Sequence, residues 1–596
     1  MSTSTPAARA SLVFALLLLP SASLRGAPPP QPVKTAATPA RTFANPLNLD
    51  YRFALDAPSR REAADPVIVL FGDDYYLFAS KSGGYWRSTD LVDWTFIVPQ
   101  GAPPQGLPIE AYAPAVMVLG DALYYTACDT GLYRSRDPKS GRWEHVGDPF
   151  KVGDPDLFAD DDGRVYLYYG LSYNGAISGQ ELDPAAGFRR KGDPFVCFRA
   201  DAAHHGWERR GEDNLGAVSN SEFSDGPWFE GSWMTKHRGT YYLQYAAPGT
   251  EFKSYADGVY TAASPRGPFT YAPDNPFSAK PTGFIGGAGH SATFRDKQGH
   301  DWHIATMTIS VKHMFERRLG LFPAAFDDDG TLHVDTTLGD YPQLVPALRK
   351  DGSASNRSGA MLLSYGKRAS ASSSLDGLGP ERAFDEDVKT YWSARSAGAG
   401  EWLAVDLGRS CRIDSVQVNF AEHESTMQGR GAGARVPGRR YHLDSSPDGT
   451  SWQTLVDRGG AQRDTPHDFV ELAAPVEARR FRLTNVETPG GGTFSVRDLR
   501  LFGACPGGPP AQAPRFEVHR DPSDARNAVV RWDLVRGAEG YLIRYGVAAG
   551  KLYRSREIRG QREIVLHDLN AGVPYLFTID AFNQGGVTPG SMLAKI

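Results

Sequence analysis

The sequence predicts an all-β protein whose first and largest domain is a five-bladed β-propeller. Gly (64), Pro (43) and aromatic residues (11 %) are abundant in the 596-residue chain. That composition favours many short strands joined by tight turns, and no long run of helical periodicity interrupts it. Five times, an apolar alternating segment leads into a Gly turn and an aromatic-rich strand: DPVIVLFGDDYYLFAS, APAVMVLGDALYYTA, DPDLFADDDGRVYLYYG, EGSWMTKHRGTYYLQYA and HSATFRDKQGHDWHIAT. Each reads as a β-hairpin. After the first two comes a Ser-x-Asp…Trp hairpin, RSTDLVDW (87–94) and RSRDPKSGRW (134–143). Two hairpins make four strands, which is one propeller blade.

Size and composition bound the rest. A chain of this length holds several domains with large cores, and 41 % hydrophobic with 22 % charged residues is ordinary for globular protein. A net charge of -5 and a pI of 6.3 give no electrostatic footprint for nucleic acid or an anionic membrane, and a monomer is expected. Residues 1–27, with Arg9 ahead of an apolar run from Leu12 to Leu19, read as a cleaved secretory signal, too short to span a bilayer. The mature chain is therefore expected to be secreted or periplasmic. A Pro/Ala-rich tether occupies 28–44, the propeller 45–348, a second strand-rich block 361–504, a linker 505–513 and a last domain 514–596. Of four Cys, Cys411 and Cys505 fall in one later block, where spacing leaves their pairing open, and no Cys/His cluster has zinc-ligand spacing.

The residue opening each repeat keeps its phase with the turn Gly. Asp65 and Ala113 lie seven residues before Gly72 and Gly120; Asp154, Glu230 and His290 lie nine before Gly163, Gly239 and Gly299. Seven and nine differ by one strand period, so these side chains are expected to face the same way. The first strand of a blade lines the central channel. Asp65, the Tyr112-Ala113-Pro114 turn, Asp154, Glu230 and His290 should therefore gather at one mouth of it. Three carboxylates and an imidazole there suit glycoside cleavage. One carboxyl stays protonated for the leaving oxygen, a second stays ionised to activate water or attack the anomeric carbon, and a third supplies negative charge that raises the first group's pKa.

The ordered set ADP, YAPAV, DPDLFADDDG, EGSWMTK and GHS resembles glycoside hydrolase family 43 over roughly residues 45–345. The resemblance implies a five-bladed propeller and hydrolysis with inversion, on arabinofuranosides, xylosides, arabinans or galactans. It also implies Asp65 as general base, Glu230 as general acid and Asp154 as the carboxylate that tunes and orients the acid. His290 matches an axial His near which the family sometimes holds calcium, largely through water; no cofactor is required. Two departures touch the pocket: YAPAV lacks the acidic residue many members carry after the Pro, and EGSWM replaces EGP. His290, Trp86, Trp228 and Phe229 are candidate substrate contacts, with Trp233 beside them, and core packing competes for the aromatic ones. Arg317 or Arg318 in FERRLG is a candidate sugar contact or a surface ion pair. The DDDG residues Asp160, Asp161 and Asp162, and the FDDDG residues Asp327, Asp328 and Asp329, are expected to be solvated, and Lys236 and Lys253 receive no role. RDP at 136–138 resembles a motif of fructan-cleaving propellers but stands out of phase with the ring.

In the second block, ERAFDEDVKTYWSA, GEWLAVDLG, IDSVQV, YHLDSSPDGTSWQTL and ARRFRLTNV resemble the discoidin or factor 5/8 C-terminal jelly roll, also called carbohydrate-binding module family 32. The resemblance implies a jelly-roll β-sandwich with either sugar binding or a spacer role. It makes Asp387 and Thr390 candidate ligands of a structural calcium, and Trp392, Trp402 and Trp452 are assigned to the core. In the last block, AVVRWDL, GYLIRYGV and PYLFTIDAFN, with Trp532, Leu569 and Tyr575, resemble a fibronectin type III β-sandwich and its tyrosine corner, a spacer without chemistry. The expected activity is that of an inverting, exo-acting α-L-arabinofuranosidase or β-xylosidase on plant cell-wall polysaccharide. A non-catalytic glycan-binding propeller is the alternative.

Overall fold

A computed structural model describes residues 41–101, 106–173, 175–215, 227–345, 357–428 and 438–596. The signal and most of the tether, expected over 1–40, lie outside the described residues. Strand dominates, and the helical elements among the described residues are four short 3-10 turns.

Five antiparallel sheets follow one another between Ala64 and Val334, each built on four strands in chain order, the fourth carrying two extra short strands. Their innermost strands are β1 (Ala64–Phe71), β2 (Ala115–Leu119), β3 (Asp156–Ala159), β4 (Trp228–His237) and β5 (Gly286–Arg295). Each packs beside the next, and β5 returns to β1, so the inner strands close a ring. Closure removes the exposed sheet edges that an open array would leave. Ile68, Met117, Leu157, Trp233 and Phe294, one from each inner strand, line a cavity of about 240 Å³ among them. All five turn glycines named above carry left-handed φ, between 60° and 84°.

Residues 41–44, assigned above to the tether, belong to the fold. Arg41–Phe43 pairs with Gln343–Val345, and buried Asn45 donates to the carbonyls of Leu321 and Gly339 at 2.9 and 2.7 Å. Asp160 is also corrected. It is buried, accepting from Lys236 Nζ at 2.5 Å and Tyr241 Oη at 2.7 Å, because one flank of its turn faces the next blade. Only Asp161 and Asp162 of that run are exposed. Lys253 pairs with Asp213 at 3.5 Å.

The second block is an eight-stranded sheet system whose two long strands, Trp402–Phe420 and His467–Glu487, pair antiparallel through two register breaks. Cys411 and Cys505 form a disulfide. Trp392 is fully buried in this core, whereas Trp402 and Trp452 are half-buried, Trp452 lying 4.4 Å beneath the Arg482 guanidinium. The last block is a sandwich of a three-stranded and a five-stranded sheet around Trp532, Leu569 and Tyr575, with the Tyr575 hydroxyl accepting from the Asn570 N–H at 3.1 Å.

This last block, expected to be a spacer, is bonded directly to the propeller at their junction. Arg554 is buried and donates to the Asn275 carbonyl and, at 3.1 Å, to the Tyr575 hydroxyl. Asn570 Nδ2 donates to the same carbonyl at 2.8 Å, and the Gly206 N–H reaches the Leu569 carbonyl at 3.0 Å. The FDDDG turn is drawn in as well. Asp327 accepts from Tyr553 Oη at 2.6 Å, and Asp329 pairs with Lys551 at 2.6 Å. At the start of the expected linker 505–513, Cys505 is buried and its N–H bonds the Gln584 carbonyl at 3.0 Å. Cavities of about 580 and 710 Å³ border this junction rather than the acidic ring. Arg554→Ala removes a buried charged donor shared by several acceptors and is expected to cost about 2–3 kcal/mol. Thermal unfolding checks this: the variant should melt several degrees below the wild-type chain, and equal melting temperatures would contradict it.

Candidate active site

One end of the inner ring is built from residues in the left-handed region: Asp65 (φ 51°), Ala113 (φ 48°), Asp154 (φ 46°), Gly231 (φ 69°) and His290 (φ 44°). The ladder slips at the same place, between Ala64 and Val67 in β1, Glu230 and Trp233 in β4, and Gly289 and Ala292 in β5. A bulge with a left-handed residue re-aims the side chain, here towards the axis. Each non-glycine residue held so costs about 1–2 kcal/mol, strain of a kind that collects at functional sites.

The ring position in β4 is Gly231, not Glu230. Counting from the turn glycine misses this because turn lengths differ: two residues, 238–239, close β4, whereas five, 160–164, close β3. A Cβ at Gly231 would lie 2.9 Å from His290 Cγ, so the imidazole already fills that place. Glu230 reaches the ring from the preceding position.

Asp65 is buried, 5 % exposed, and its carboxylate accepts from Ser80 Oγ at 2.5 Å. Arg317 Nη1 stands 3.2 and 3.4 Å from its two oxygens, and His290 Nδ1 lies 3.3 Å from Oδ1. Burial alone would raise this pKa; Arg317, then His290 and the hydroxyls of Ser80 and Thr306, outweigh it and hold the group below the usual carboxylate range. Asp154 is equally buried but has no such cation. Burial first, then the charge of Asp65, pushes it up to about 7, although Cys128 Sγ (3.1 Å) and the Gly231 N–H (3.3 Å) donate to it. Glu230 is pushed up to about 8 by burial and then by Asp154. Its two oxygens accept from the Trp228 indole N–H and the Tyr255 hydroxyl. Neighbouring carboxyls thus differ in protonation near neutrality: Asp65 ionised, Glu230 protonated.

The candidate sugar contacts separate. Trp86 is fully buried, with Nε1 donating to Asp50 at 2.8 Å, and Phe229 is buried against Tyr245 and Phe198; neither offers a face to a ligand. Both are corrected to core. Trp228 is half-buried beside Glu230, and Trp233 donates to the Thr293 carbonyl in the channel wall. Arg317 points at the ring and Arg318 away from it. Sequence reasoning missed Tyr255, Cys128 and Ser80, which sit on outer strands or strand ends and carry no motif. It also missed half-buried Phe315, 5.6 Å from Tyr112, whose ring lies 4.4 Å from Lys81 Nζ. RDP at 136–138 lies on an outer connection, with Arg136 pairing to exposed Asp121.

Asp154, Glu230 and His290 each offer one donor atom, all within 4.8 Å of one another. Both Glu230 oxygens and both Asp154 oxygens also accept protein hydrogen bonds, which leaves each carboxylate oxygen one further lone pair. In the second block, Asp387 Oδ1 accepts from the Lys389 N–H at 2.9 Å, and Thr390 Oγ1 donates to Asp385 Oδ2 at 2.7 Å.

Residues 59–332 match the family model for glycosyl hydrolases family 43, and residues 368–498 that for the F5/8 type C domain. A beta-D-galactofuranosidase from Aspergillus niger is 26 % identical over 277 residues, covering 40 % of this chain and 72 % of its own. A beta-xylosidase from Xylanibacter ruminicola is 29 % identical, over 25 % of this chain and 51 % of its own. An extracellular endo-alpha-(1->5)-L-arabinanase from Bacillus subtilis is 24 % identical, over 40 % and 63 %. The chain thus spans between about half and three quarters of the length of these relatives. Residues 59–332 are similar to family 43 glycosyl hydrolases, and residues 368–498 to F5/8 type C domains.

Gly231→Ala places a methyl group against His290 and a side chain at φ 69°. It is expected to cost about 1–2 kcal/mol of stability and to displace the imidazole from between Asp65 and Asp154. Melting temperature and glycosidase rate check it together; an alanine variant that matches wild type in both would contradict the crowding described.

Proposed function

We propose that the propeller hydrolyses glycosidic bonds with inversion in plant cell-wall polysaccharide of the xylan or arabinan type, as an exo-acting α-L-arabinofuranosidase or β-xylosidase. The observation that carries the reading is geometric: Arg317 stands 3.2 Å from Asp65, whereas Glu230 gathers with Asp154 and His290 within 4.8 Å and accepts only neutral donors, Trp228 and Tyr255, an arrangement that favours an ionised Asp65 and a protonated Glu230. In this reading Glu230 gives its proton to the leaving oxygen while Asp65 takes one from the water that attacks the anomeric carbon. Burial first, and then the charge of Asp154 once it ionises, keeps Glu230 protonated, and through the Gly231 N–H Asp154 fixes the β4 bulge from which Glu230 projects. Trp228 and Tyr255 orient the acid; Trp228 and Phe315 are the half-buried aromatic faces for a sugar ring. The names of the relatives, a xylosidase, an arabinanase and a galactofuranosidase, support the substrate class. The reading also takes residues 1–27 as an export signal, hence a secreted or periplasmic enzyme, and residues 514–596 as a fibronectin type III domain.

The test is release of nitrophenol from nitrophenyl pentosides and of reducing ends from arabinan, arabinoxylan, xylan and galactan. Glu230→Ala and Asp65→Asn should each lower the rate by about 10²-fold or more, the scale of a lost positioned acid or base. Variants within a few-fold of wild type would overturn the roles.

The pH profile follows from the same groups. Activity needs Glu230 protonated, so kcat/KM should fall as pH rises through about 8. It needs Asp65 ionised, so the acid limb should lie below the ordinary carboxylate range. Asp154→Asn removes a negative neighbour of Glu230 and should move the basic limb to lower pH. An unmoved basic limb in that variant would contradict the tuning role.

A further inference from the structure

Glu316, Arg317 and Arg318 are consecutive, at the start of the strand Arg317–Phe326, and a strand sends alternate side chains to opposite faces. Arg317 faces Asp65. Its neighbours face the F5/8 type C domain. Glu316 Oε1 accepts from Arg497 Nη2 at 2.9 Å, and Arg318 Nε donates to His467 Nε2 at 2.8 Å. All four of these side chains are buried. Burial and the adjacent Arg318 hold His467 neutral, which leaves its Nε2 lone pair free to accept while Nδ1 pairs with Asn419 Oδ1 at 2.8 Å.

The same division recurs at residues 61 and 62. Glu62 Oε1 accepts from Arg317 Nη2 at 3.0 Å, on the ring side. Arg61 points the other way, to Glu422 at 2.6 Å and Asp464 at 2.8 Å in the second domain. Arg318 Nη1 donates to the carbonyls of both Arg61 and Arg317 at 2.9 Å, which ties the two segments together. Buried ion pairs are a poor means of gluing two modules, since an apolar contact of equal area does as well; what they supply is register. Here the register is that of the two segments holding Arg317.

We propose that the F5/8 type C domain is part of the catalytic frame, with His467, Arg497 and Glu422 as positioning residues that fix Arg317 and Glu62 against Asp65. This rests on the reading of Asp65 as general base. The domain would then serve the reaction whether or not it binds sugar.

The experiment compares full-length His467→Leu, which offers Arg318 no acceptor, with His467→Gln, which does. The readouts are melting temperature, and kcat and KM on the nitrophenyl pentoside that the wild-type chain cleaves. The expected result is a kcat about tenfold or more lower for His467→Leu at near wild-type KM, with most of it restored in His467→Gln, since small misplacements of a catalytic group cost up to about 10²-fold. A folded His467→Leu with a lowered melting temperature and wild-type kcat would reduce the contact to interdomain adhesion and overturn the proposal. If His467→Leu does not fold, Arg497→Lys, which keeps the charge but not the geometry at Glu316, is measured the same way. A lowered kcat then supports the proposal and a wild-type kcat overturns it. Asp65→Asn in the same assay separates the two levels. Near wild-type activity there defeats the base assignment and the proposal with it, whereas an inactive Asp65→Asn beside a fully active His467→Leu defeats the proposal alone.

Discussion

The contact between Arg317 and Asp65 is the constraint on which the site depends. Three carboxyls buried round one axis cannot all be ionised, because each charge raises the cost of the next. One cation, delivered to one of them, decides which group carries the charge. Arg317 reaches Asp65 at 3.2 Å, and its other anionic partner is buried Glu62 at 3.0 Å, with Thr250 Oγ1 accepting from it at 3.3 Å. The asymmetry that an acid and a base require is thereby built into the ring before any substrate arrives.

The backbone bears part of the cost. Asp65, Ala113, Asp154 and His290 all sit in the left-handed region at equivalent places, and the ladders beside β1, β4 and β5 are broken there. Such strain persists only where surrounding structure over-determines it. The closed ring of inner strands does this from one side. From the other side, neighbouring blades bond the strained residues directly: Thr306 Oγ1 accepts from the Asp65 N–H at 2.7 Å, and Asp257 Oδ1 accepts from the His290 N–H at 2.8 Å.

Much of this was legible in the sequence. Repeats with a Gly turn and a period-2 strand announce the blades, and Asp-Pro at 65 and 154, with the isolated Glu230 and His290, announce the ring. What was not legible has physical causes. Turns of two and five residues close different blades, so Glu230 and Gly231 could not be told apart by counting back from the turn glycine. FERRLG presents two arginines, and strand alternation separates them only once the strand's register is known. Tyr255 reaches the ring from just before the third strand of Glu230's own blade and Cys128 from the blade before Asp154, both at positions without motif. The docking of the last sandwich was hidden for a related reason: Asp327 and Asp329 look like turn residues until Lys551 and Tyr553, more than two hundred residues later, are placed beside them.

The most direct test of the central claim reads protonation itself rather than rate. Infrared difference spectra at pH 7 between the wild-type chain and Glu230→Gln, and between wild type and Asp65→Asn, report which carboxyl carries the proton. The account predicts loss of a protonated-carboxyl band in the first pair and of carboxylate bands in the second. Carboxylate loss from Glu230→Gln together with protonated-carboxyl loss from Asp65→Asn would contradict it.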